Sequence, residues 1–568
     1  MTKRAEPARR GSVGRSIARV DGDEKARGVA VYPQDLSPPP GCLHAATVRA
    51  PVARARIRSV DIAKALNAPG IVRVLSAADV RGSNRFGLIE ADQPVLSGEA
   101  IHGASDVVAL VIGTTHEAAR EGSRRVLLDL VTEAPLLDPE QACDEDAAHV
   151  HPERGACGLH PNVIADRTIR RGDPERALAE AVVVISGEYR TDRVEHAFMA
   201  PEAGLAERDS KGRLTLHVAT QWPEADLRQA AAALDEPIDN LRIVQRTIGG
   251  AFGGREDISL QILLLLAARE TGKPVRMVWD REESIRGHGK RHPFRIRHRL
   301  AADSRGRFTG ASIDILVDAG CYASTSSVVL ENTMSQACGP YAIDDVLITG
   351  RAVYTNNPYT CAMRGFGVNQ MAFAMEQQVN KLTAELGLDP AAVRRRNFVT
   401  SGGRLASGSR VLACDGLPKT LASARTRARR HTLPAASDSW RYGRGLASAL
   451  KNVGYSFGFD DHATATVTVT NAGATVRIGA AEVGQGVATI LTQIAADSLA
   501  LSPRRVHLDW QDTATAPEAG SSSASRQTFV SGNAVRQARA RVLRQRNGHV
   551  RGRNQDRTVL FVFGRQVG

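Results

Sequence analysis

The chain has 568 residues, of which 42% are hydrophobic and only 4% aromatic, enough for roughly three or four domains with cores of their own. No apolar run approaches the ~20 residues of a membrane span, so no membrane partner is expected. The net charge of +13 is not a nucleic-acid footprint: residues 1–16 carry +4, residues 536–568 carry +8, and the body between them is near neutral.

The seven cysteines (Cys42, Cys143, Cys157, Cys321, Cys338, Cys361 and Cys414) are scattered, and no Cys-x-x-Cys occurs. That excludes a zinc knuckle or a ferredoxin-type cluster on this chain and fits a reducing cytoplasm. Arg9-Arg10 is followed by GSVGRSIARVDG, which has no apolar stretch, so no export signal is expected and the location is read as cytoplasmic.

In chain order, residues 1–16 read as a disordered basic tail. Residues 17–138 alternate strands and helices: strands at 42–49, Ile71–Leu75, 107–112 and 126–130, a short helix opened by Asp61, and another capped by Thr115. Residues 139–160 read as a linker. A larger region, 161–405, carries strands at 182–189, 214–220 and 313–317 and a helix at 370–386. Its centre is the turn Ile248-Gly249-Gly250-Ala251-Phe252-Gly253-Gly254-Arg255-Glu256, set between a strand at 241–247 and an apolar helix at 258–270. Gly272 and Pro274 end that helix. Glycines there permit positive φ and close approach of backbone N–H groups to an anionic or polar ligand; the same pattern also serves simple helix–sheet packing. Residues 406–440 read as a second linker.

Residues 441–543 form the last region. A hairpin of 465–470 and 475–478 crosses Asn471-Ala472-Gly473. Then comes a second glycine turn, Ala481-Glu482-Val483-Gly484-Gln485-Gly486, before a helix with Val487, Ile490, Leu491 and Ile494 on one face. Gln221 ends a strand, as an amide for a ligand oxygen or a plain strand-end polar residue. His292, beside Pro293, is a ligand candidate or a structural histidine. Arg364-Gly365-Phe366-Gly367 offers a guanidinium and a ring for a charged cofactor and a flat substrate. Ser521–Val535 (SSSASRQTFVSGNAV) is either a stretch whose small side chains expose backbone amides to an anion or a plain flexible serine loop. From 544 to 568 the chain is arginine-rich and poor in apolar residues.

In this order these motifs, together with Asp21-Gly22-Asp23-Glu24-Lys25-Ala26-Arg27-Gly28, resemble the molybdenum-binding large subunit of the xanthine dehydrogenase and aldehyde oxidase family. The resemblance covers about nine tenths of the chain. It implies an α+β fold: an N-terminal α/β hammerhead domain, then two molybdopterin-binding domains, the last one incomplete. It assigns Gln221, Phe252 and Arg364 to the surroundings of molybdenum. It assigns Gln221, Gly250, Phe252, Gly253, Arg364, Gly484, Gln485, Gly486, Ala524 and Ser525 to cofactor binding, and Glu256, Asn332 and Phe366 to substrate. Glu256 and Arg364 are the catalytic candidates. The implied reaction hydroxylates a heteroaromatic, purine-like or aldehyde substrate with oxygen from water. The implied cofactor is molybdopterin, with the cytosine dinucleotide form as one candidate. Electrons would leave through a separate small [2Fe–2S] subunit and an FAD subunit.

Three departures qualify the resemblance. Asn332 stands where the purine-oxidising members place an arginine. The Cys-Ser-Phe pattern of the carbon monoxide dehydrogenase branch is absent before Arg364. The family's base glutamate lies in a Gly-x-Gly-Glu turn beyond Val535, and residues 536–568 contain none. The expectation is therefore a C-terminally truncated chain, through truncation or frameshift, with 544–568 as a non-family basic tail. A general base contributes roughly 10²–10⁴-fold, so slight activity is expected. The alternative is a crippled remnant that at most docks an iron–sulfur partner.

Overall fold

The computed structural model describes residues 11–154, 160–437, 439–455, 461–547 and 557–565. Residues 1–10, Cys157, and 548–556 and 566–568 of the expected C-terminal tail lie outside the described residues. The chain forms two compact units, each assembled from separated stretches. The first comprises Met1–Glu133, His196–His288 and Val453–Gly568; the second comprises Ala134–Glu195 and Gly289–Asn452.

The first unit is built on a seven-stranded mixed sheet. Its order is Leu241–Gln245, Leu214–Val218, Ala203–Arg208, Val275–Val278, Leu43–Arg49, Val107–Gly113 and Ile71–Leu75. The parallel pairing of Leu43 with Val275 fuses the N-terminal α/β stretch to strands more than two hundred residues later. The region expected as one domain, 161–405, is thus shared between the two units. Helix Gln261–Thr271 packs on this sheet and buries every residue from Gln261 to Ala268. A helix apolar all round shows no amphipathic period. Its four consecutive leucines, Leu263–Leu266, stabilise by ~1.5–3 kcal/mol each when fully buried. It ends at Gly272, φ +65°, as the sequence expects.

A four-stranded sheet in the same unit runs Val506–Asp509, Ala474–Arg477, His462–Val469, Arg557–Arg565. The hairpin lies where Asn471-Ala472-Gly473 placed it. A Cβ at Gly473 would stand 2.1 Å from the Arg505 carbonyl oxygen, so only glycine fits. Helices Val487–Leu499 and Val530–Asn547 cover this sheet with Val487, Leu491, Ala495, Val530 and Ala534. The segment Arg557–Arg565, set apart by composition as tail, pairs antiparallel with His462–Val469.

The second unit holds a five-stranded sheet, Val183–Thr191, Phe294–Ala302, Phe308–Gly320, Asp345–Tyr354, Val163–Arg171. Phe308–Gly320 and Asp345–Tyr354 are parallel, with helix Ser326–Ser335 in the crossover. Helix Val368–Glu385 buries Met371, Met375, Val379 and Leu382 at helical spacing. His292 and Pro293 lead directly into strand Phe294–Ala302. His292 is 2% exposed, its Nε2 lies 2.9 Å from the Ser326 hydroxyl, and burial lowers its pKa to about 3. That is a neutral structural histidine.

The two expected linkers carry structure. In 139–160, Ala142 is fully buried in the turn Gln141–Cys143, and His151 is buried with its Nε2 2.7 Å from the Cys321 carbonyl. In 406–440, helix Gly416–Arg429 buries Leu421. Of the expected disordered tail, residues 12 and 13 are tied down: the Ser12 hydroxyl and the Ser12 and Val13 N–H groups all donate to the Asp497 carboxylate.

Candidate functional site

In the first unit, Gln221 is the knot that holds the candidate site. It is 2% exposed and uses every polar group it has. Its N–H donates to the Arg255 carbonyl at 2.9 Å, and its carbonyl accepts from the Ser522 N–H at 3.0 Å. Its Oε1 accepts from the Gly253 N–H (3.0 Å) and the Arg255 N–H (3.3 Å), and its Nε2 donates to the Ser522 carbonyl (2.9 Å). One of the two Nε2 hydrogens has no acceptor among the described residues, since an amide carries two donors. A single strand-end glutamine thereby joins the first glycine turn to the serine-rich loop.

The turn itself is left-handed at Gly250 (φ +97°), Phe252 (+55°) and Gly253 (+104°). The Phe252 ring is 44% exposed and its N–H has no partner among the described residues. Beneath, Arg255 is 3% exposed. Its Nε donates to the Gly250 carbonyl (3.1 Å), and its guanidinium lies 4.2 Å over the Phe198 ring and 3.7 Å from Glu202. Burial works against the Glu202 charge, yet the charges of His288 and Arg255 and the bonds from His288 and Ser284 hold its pKa down to about 2. The turn therefore sits on a buried, charge-balanced floor.

In the serine loop, Ala524 (φ +50°) and Ser525 (+54°) are successive left-handed residues. An L-residue there costs ~1–2 kcal/mol. The Ser523, Ala524 and Ser525 N–H groups have no partner among the described residues, so three consecutive donors are presented together. The loop is held from below by Arg526, which is fully buried. Its guanidinium donates to Asp461 (2.5 Å) and to the carbonyls of Ser521 (3.3 Å), Ala519 and His462, and stacks 4.8 Å over Tyr455.

The second glycine turn is organised by Glu482, 3% exposed. Its carboxylate accepts the N–H groups of Gly484 (2.9 Å), Gly486 (2.9 Å) and Ala488 (3.1 Å). The Gly484 and Gly486 amides, expected to serve a cofactor, are thus already engaged. The Gln485 side chain folds back onto the Val483 N–H and the Ala481 carbonyl. Gln485 is exposed, and its N–H has no partner among the described residues. The Ser522 hydroxyl also donates to the Ala481 carbonyl (2.6 Å), which links this turn to the serine loop.

Glu256, for which a substrate-facing role is expected, is buried. It is 7% exposed; burial, reinforced by the Asp257 charge, raises its pKa to about 8 against the pull of the Ser523 and Ser521 hydroxyls and Arg526. It is a neutral, buried carboxyl behind the serine loop.

The second unit brings together Asn332, Arg364 and Phe366. Gly365 (φ +105°), Phe366 (+51°) and Gly367 (+87°) form a left-handed run. A Cβ at Gly367 would stand 1.9 Å from the Thr333 hydroxyl oxygen, so glycine is required. Asn332, expected at the substrate, is 1% exposed and its Nδ2 donates to the Phe366 carbonyl at 2.7 Å, so it props this loop. Arg291 grips the Arg364 carbonyl (2.9 Å) and Asn369 (3.0 Å). The Arg364 side chain is exposed, with no ion pair among the described residues.

Sequence reasoning missed the supports: Arg526, Arg255, Glu202, Arg291, and Glu482 as a turn organiser. Glu482 had a local signal, a carboxylate just before a glycine-flanked helix start. The others had none, because the charged or structural partners that explain them, Glu202 for Arg255, Asp461 for Arg526 and Arg364 for Arg291, are distant in sequence. Phe252, Phe366, Ala524 and Ser525 are four of the eight non-glycine residues with left-handed φ among the described residues. Such strain concentrates where function holds it in place.

Family models match along the chain: the aldehyde oxidase and xanthine dehydrogenase a/b hammerhead domain at residues 27–133, and the molybdopterin cofactor-binding domain at 158–398 and again at 419–555. A probable xanthine dehydrogenase subunit of Bacillus subtilis is 31% identical over 534 residues, covering 93% of this chain and 70% of that protein. The chain belongs to the xanthine dehydrogenase and aldehyde oxidase family, as a molybdenum-binding large subunit. The nicotinate dehydrogenase large molybdopterin subunit of Eubacterium barkeri is 34% identical over 416 residues, 73% of this chain and 96% of that one. Among solved structures, the aldehyde oxidoreductase from Desulfovibrio gigas superposes with a TM-score of 0.87 at 27% identity, over 93% of this chain and 59% of that one. The chain thus spans about six tenths of that structure. The family match through residue 555 takes in much of the stretch 544–568 that composition had set outside the family.

Proposed function

We propose that this chain holds a molybdopterin cofactor and serves a hydroxylating oxidoreductase acting on a heteroaromatic or aldehyde substrate. The observation that carries the reading is the row of N–H groups at Ser523, Ala524 and Ser525 that have no partner among the described residues, left-handed at Ala524 and Ser525, over a buried arginine beside a second open donor at Phe252. Backbone donors fixed in this way suit an anionic or oxygen-rich group and need no reorganisation to bind it. The donor set fits molybdopterin, whose phosphate and molybdenum-bound oxygens are all acceptors.

The Ser523–Ser525 N–H groups and the Gln485 N–H would take the anionic end of the cofactor. The open Nε2 hydrogen of Gln221 and the Phe252 N–H would face an oxygen of the metal centre. When bound, the cofactor supplies a two-electron oxidation that places oxygen from water on carbon. Glu256, protonated at neutral pH, adds no negative charge behind the loop and so leaves its amides attractive to an anion. Arg364 offers an exposed guanidinium to an anion on the second unit. A small [2Fe–2S] subunit and an FAD subunit are the proposed electron acceptors, and the cytoplasm the proposed location.

Metal analysis of chain purified from a host that makes molybdenum cofactor should find close to one molybdenum per chain. Nicotinate, an aromatic aldehyde and hypoxanthine, each assayed with an artificial electron acceptor, then sort the substrate classes. Chain that folds but carries no molybdenum would overturn the cofactor reading. Molybdenum without turnover of any of the three would remove the hydroxylase reading and leave cofactor binding.

A further inference from the structure

Asp21-Gly22 opens the family resemblance, yet the site described above gives no task to it or to Arg19-Val20 just before it. In the structure its residues converge on the second glycine turn, within the first unit. From residue 12 to residue 20 the chain lies along helix Val487–Leu499. Beyond the Ser12 and Val13 bonds to Asp497, Gln493 Nε2 donates to the carbonyls of Ser12 (2.7 Å) and Arg15 (3.0 Å), and the Val20 N–H donates to the Thr489 hydroxyl (3.1 Å). At the end of this strap Arg19 reaches the turn. Its Nη1 donates to the Gly484 carbonyl (2.9 Å) and its Nη2 lies 3.3 Å from Glu482 Oε1. Asp21 holds the other edge of the guanidinium through Nε (2.9 Å) and Nη2 (2.8 Å), and Lys25 pairs with Asp21 in turn. The Arg19 and Lys25 bonds, against burial, bring the Asp21 pKa down to about 2.

Glu482 has a side chain only 2% exposed, and Arg19 is its one cation among the described residues. Three turn amides and Arg19 together satisfy that buried carboxylate. Arg19 also fixes the Gly484 carbonyl, on the peptide that precedes Gln485. Gly484 has φ +105° and open space where a Cβ would be, so the turn has little packing of its own to set its conformation.

We propose that Arg19 is a positioning residue for the cofactor turn, and that the strap of residues 12–21 clamps Gly484–Gly486 so that the Gln485 N–H points outward to an anionic ligand. The inference rests on the cofactor reading for its ligand, but the clamp itself is testable without one. The full-length chain with Arg19→Ala is compared with wild type by amide exchange over residues 11–21 and 483–490, by molybdenum retained after dialysis, and by the melting temperature of cofactor-free protein. Exchange in both segments should rise roughly tenfold, the scale of one lost charged hydrogen-bond pair at a half-exposed site. Retained molybdenum should fall several-fold while the cofactor-free melting temperature stays within a degree or two, a change of at most about 1 kcal/mol. Arg19→Lys should recover part of the retention, since one ammonium replaces a fork.

Unchanged exchange and retention in Arg19→Ala would overturn the proposal. So would a melting temperature that falls in step with retention, which marks a merely structural contact. If wild type carries no molybdenum, the cofactor reading fails, and exchange at 483–490 alone decides whether the clamp exists.

Discussion

Gln221 and Asp226 lie five residues apart and illustrate opposite uses of burial. Gln221 is buried and its side chain is matched: Gly253, Arg255 and Ser522 answer its amide. Gln221→Ala would leave the buried Arg255 N–H, the half-buried Gly253 N–H and the Ser522 carbonyl without this partner. A cost of ~2–4 kcal/mol is expected by urea denaturation, together with loss of bound molybdenum. Asp226 is fully buried, with Oδ2 accepting from Gln261 Nε2 at 3.1 Å. Burial raises its pKa to about 7. A folded-state pKa above the unfolded carboxylate value means the native state binds the extra proton, so stability falls as pH rises from about 4 through about 7. Asp226→Asn keeps the bond from Gln261 and removes the ionisation. It should flatten that part of the pH profile and gain ~2–4 kcal/mol at pH 8 relative to wild type. Equal pH profiles for variant and wild type in thermal melts would contradict the assignment.

At the scale of an element, the serine loop and the second glycine turn hold their backbone amides in different ways. The serine loop accepts backbone strain at Ala524 and Ser525 to leave its amides open, and Arg526 supports it from beneath. Ala524→Gly should therefore stabilise the fold by ~1 kcal/mol, measured by denaturation, because glycine carries no left-handed penalty. The second glycine turn instead spends most of its amides on Glu482, which acts as an internal cap for helix Val487–Leu499. Glu482→Ala should cost ~2–3 kcal/mol and release exchange protection in the first turn of that helix. The hairpin at residues 471–473 and the helix stop at Gly272 were readable as sequence because a positive φ at one residue is a local demand that glycine answers. The open amides of Ser523–Ser525 were readable only as a tendency, since small side chains expose backbone whether or not anything binds it.

For the molecule as a whole, the decisive fact is that strand Leu43–Arg49 lies between Val275–Val278 and Val107–Gly113 in one sheet. Deleting residues 1–133 would strip Val275–Val278 of a neighbour and expose an apolar edge. Such a chain is expected to be insoluble on expression, although the family boundaries invite the cut. A soluble, cooperatively folding 134–568 fragment, judged by circular dichroism and gel filtration, would show that the sheet does not need its N-terminal strands.

By itself the sequence determined the local grammar of this protein: which glycines turn, where the buried helix runs, where charge gathers at the ends, and the ordered motifs that tie it to its family. Each of these is set within a few residues by φ preference, side-chain volume or periodicity. Tertiary structure alone decided that Glu482 occupies the Gly484 and Gly486 amides, that Glu256 and Asn332 face inward, and that the compact units cross the expected domain boundaries. The reason is the range of the interactions. Gln221 bonds Ser522 across 301 residues, and Arg19 reaches Glu482 across 463. A buried donor must find an acceptor somewhere, but nothing in the neighbouring sequence says which one.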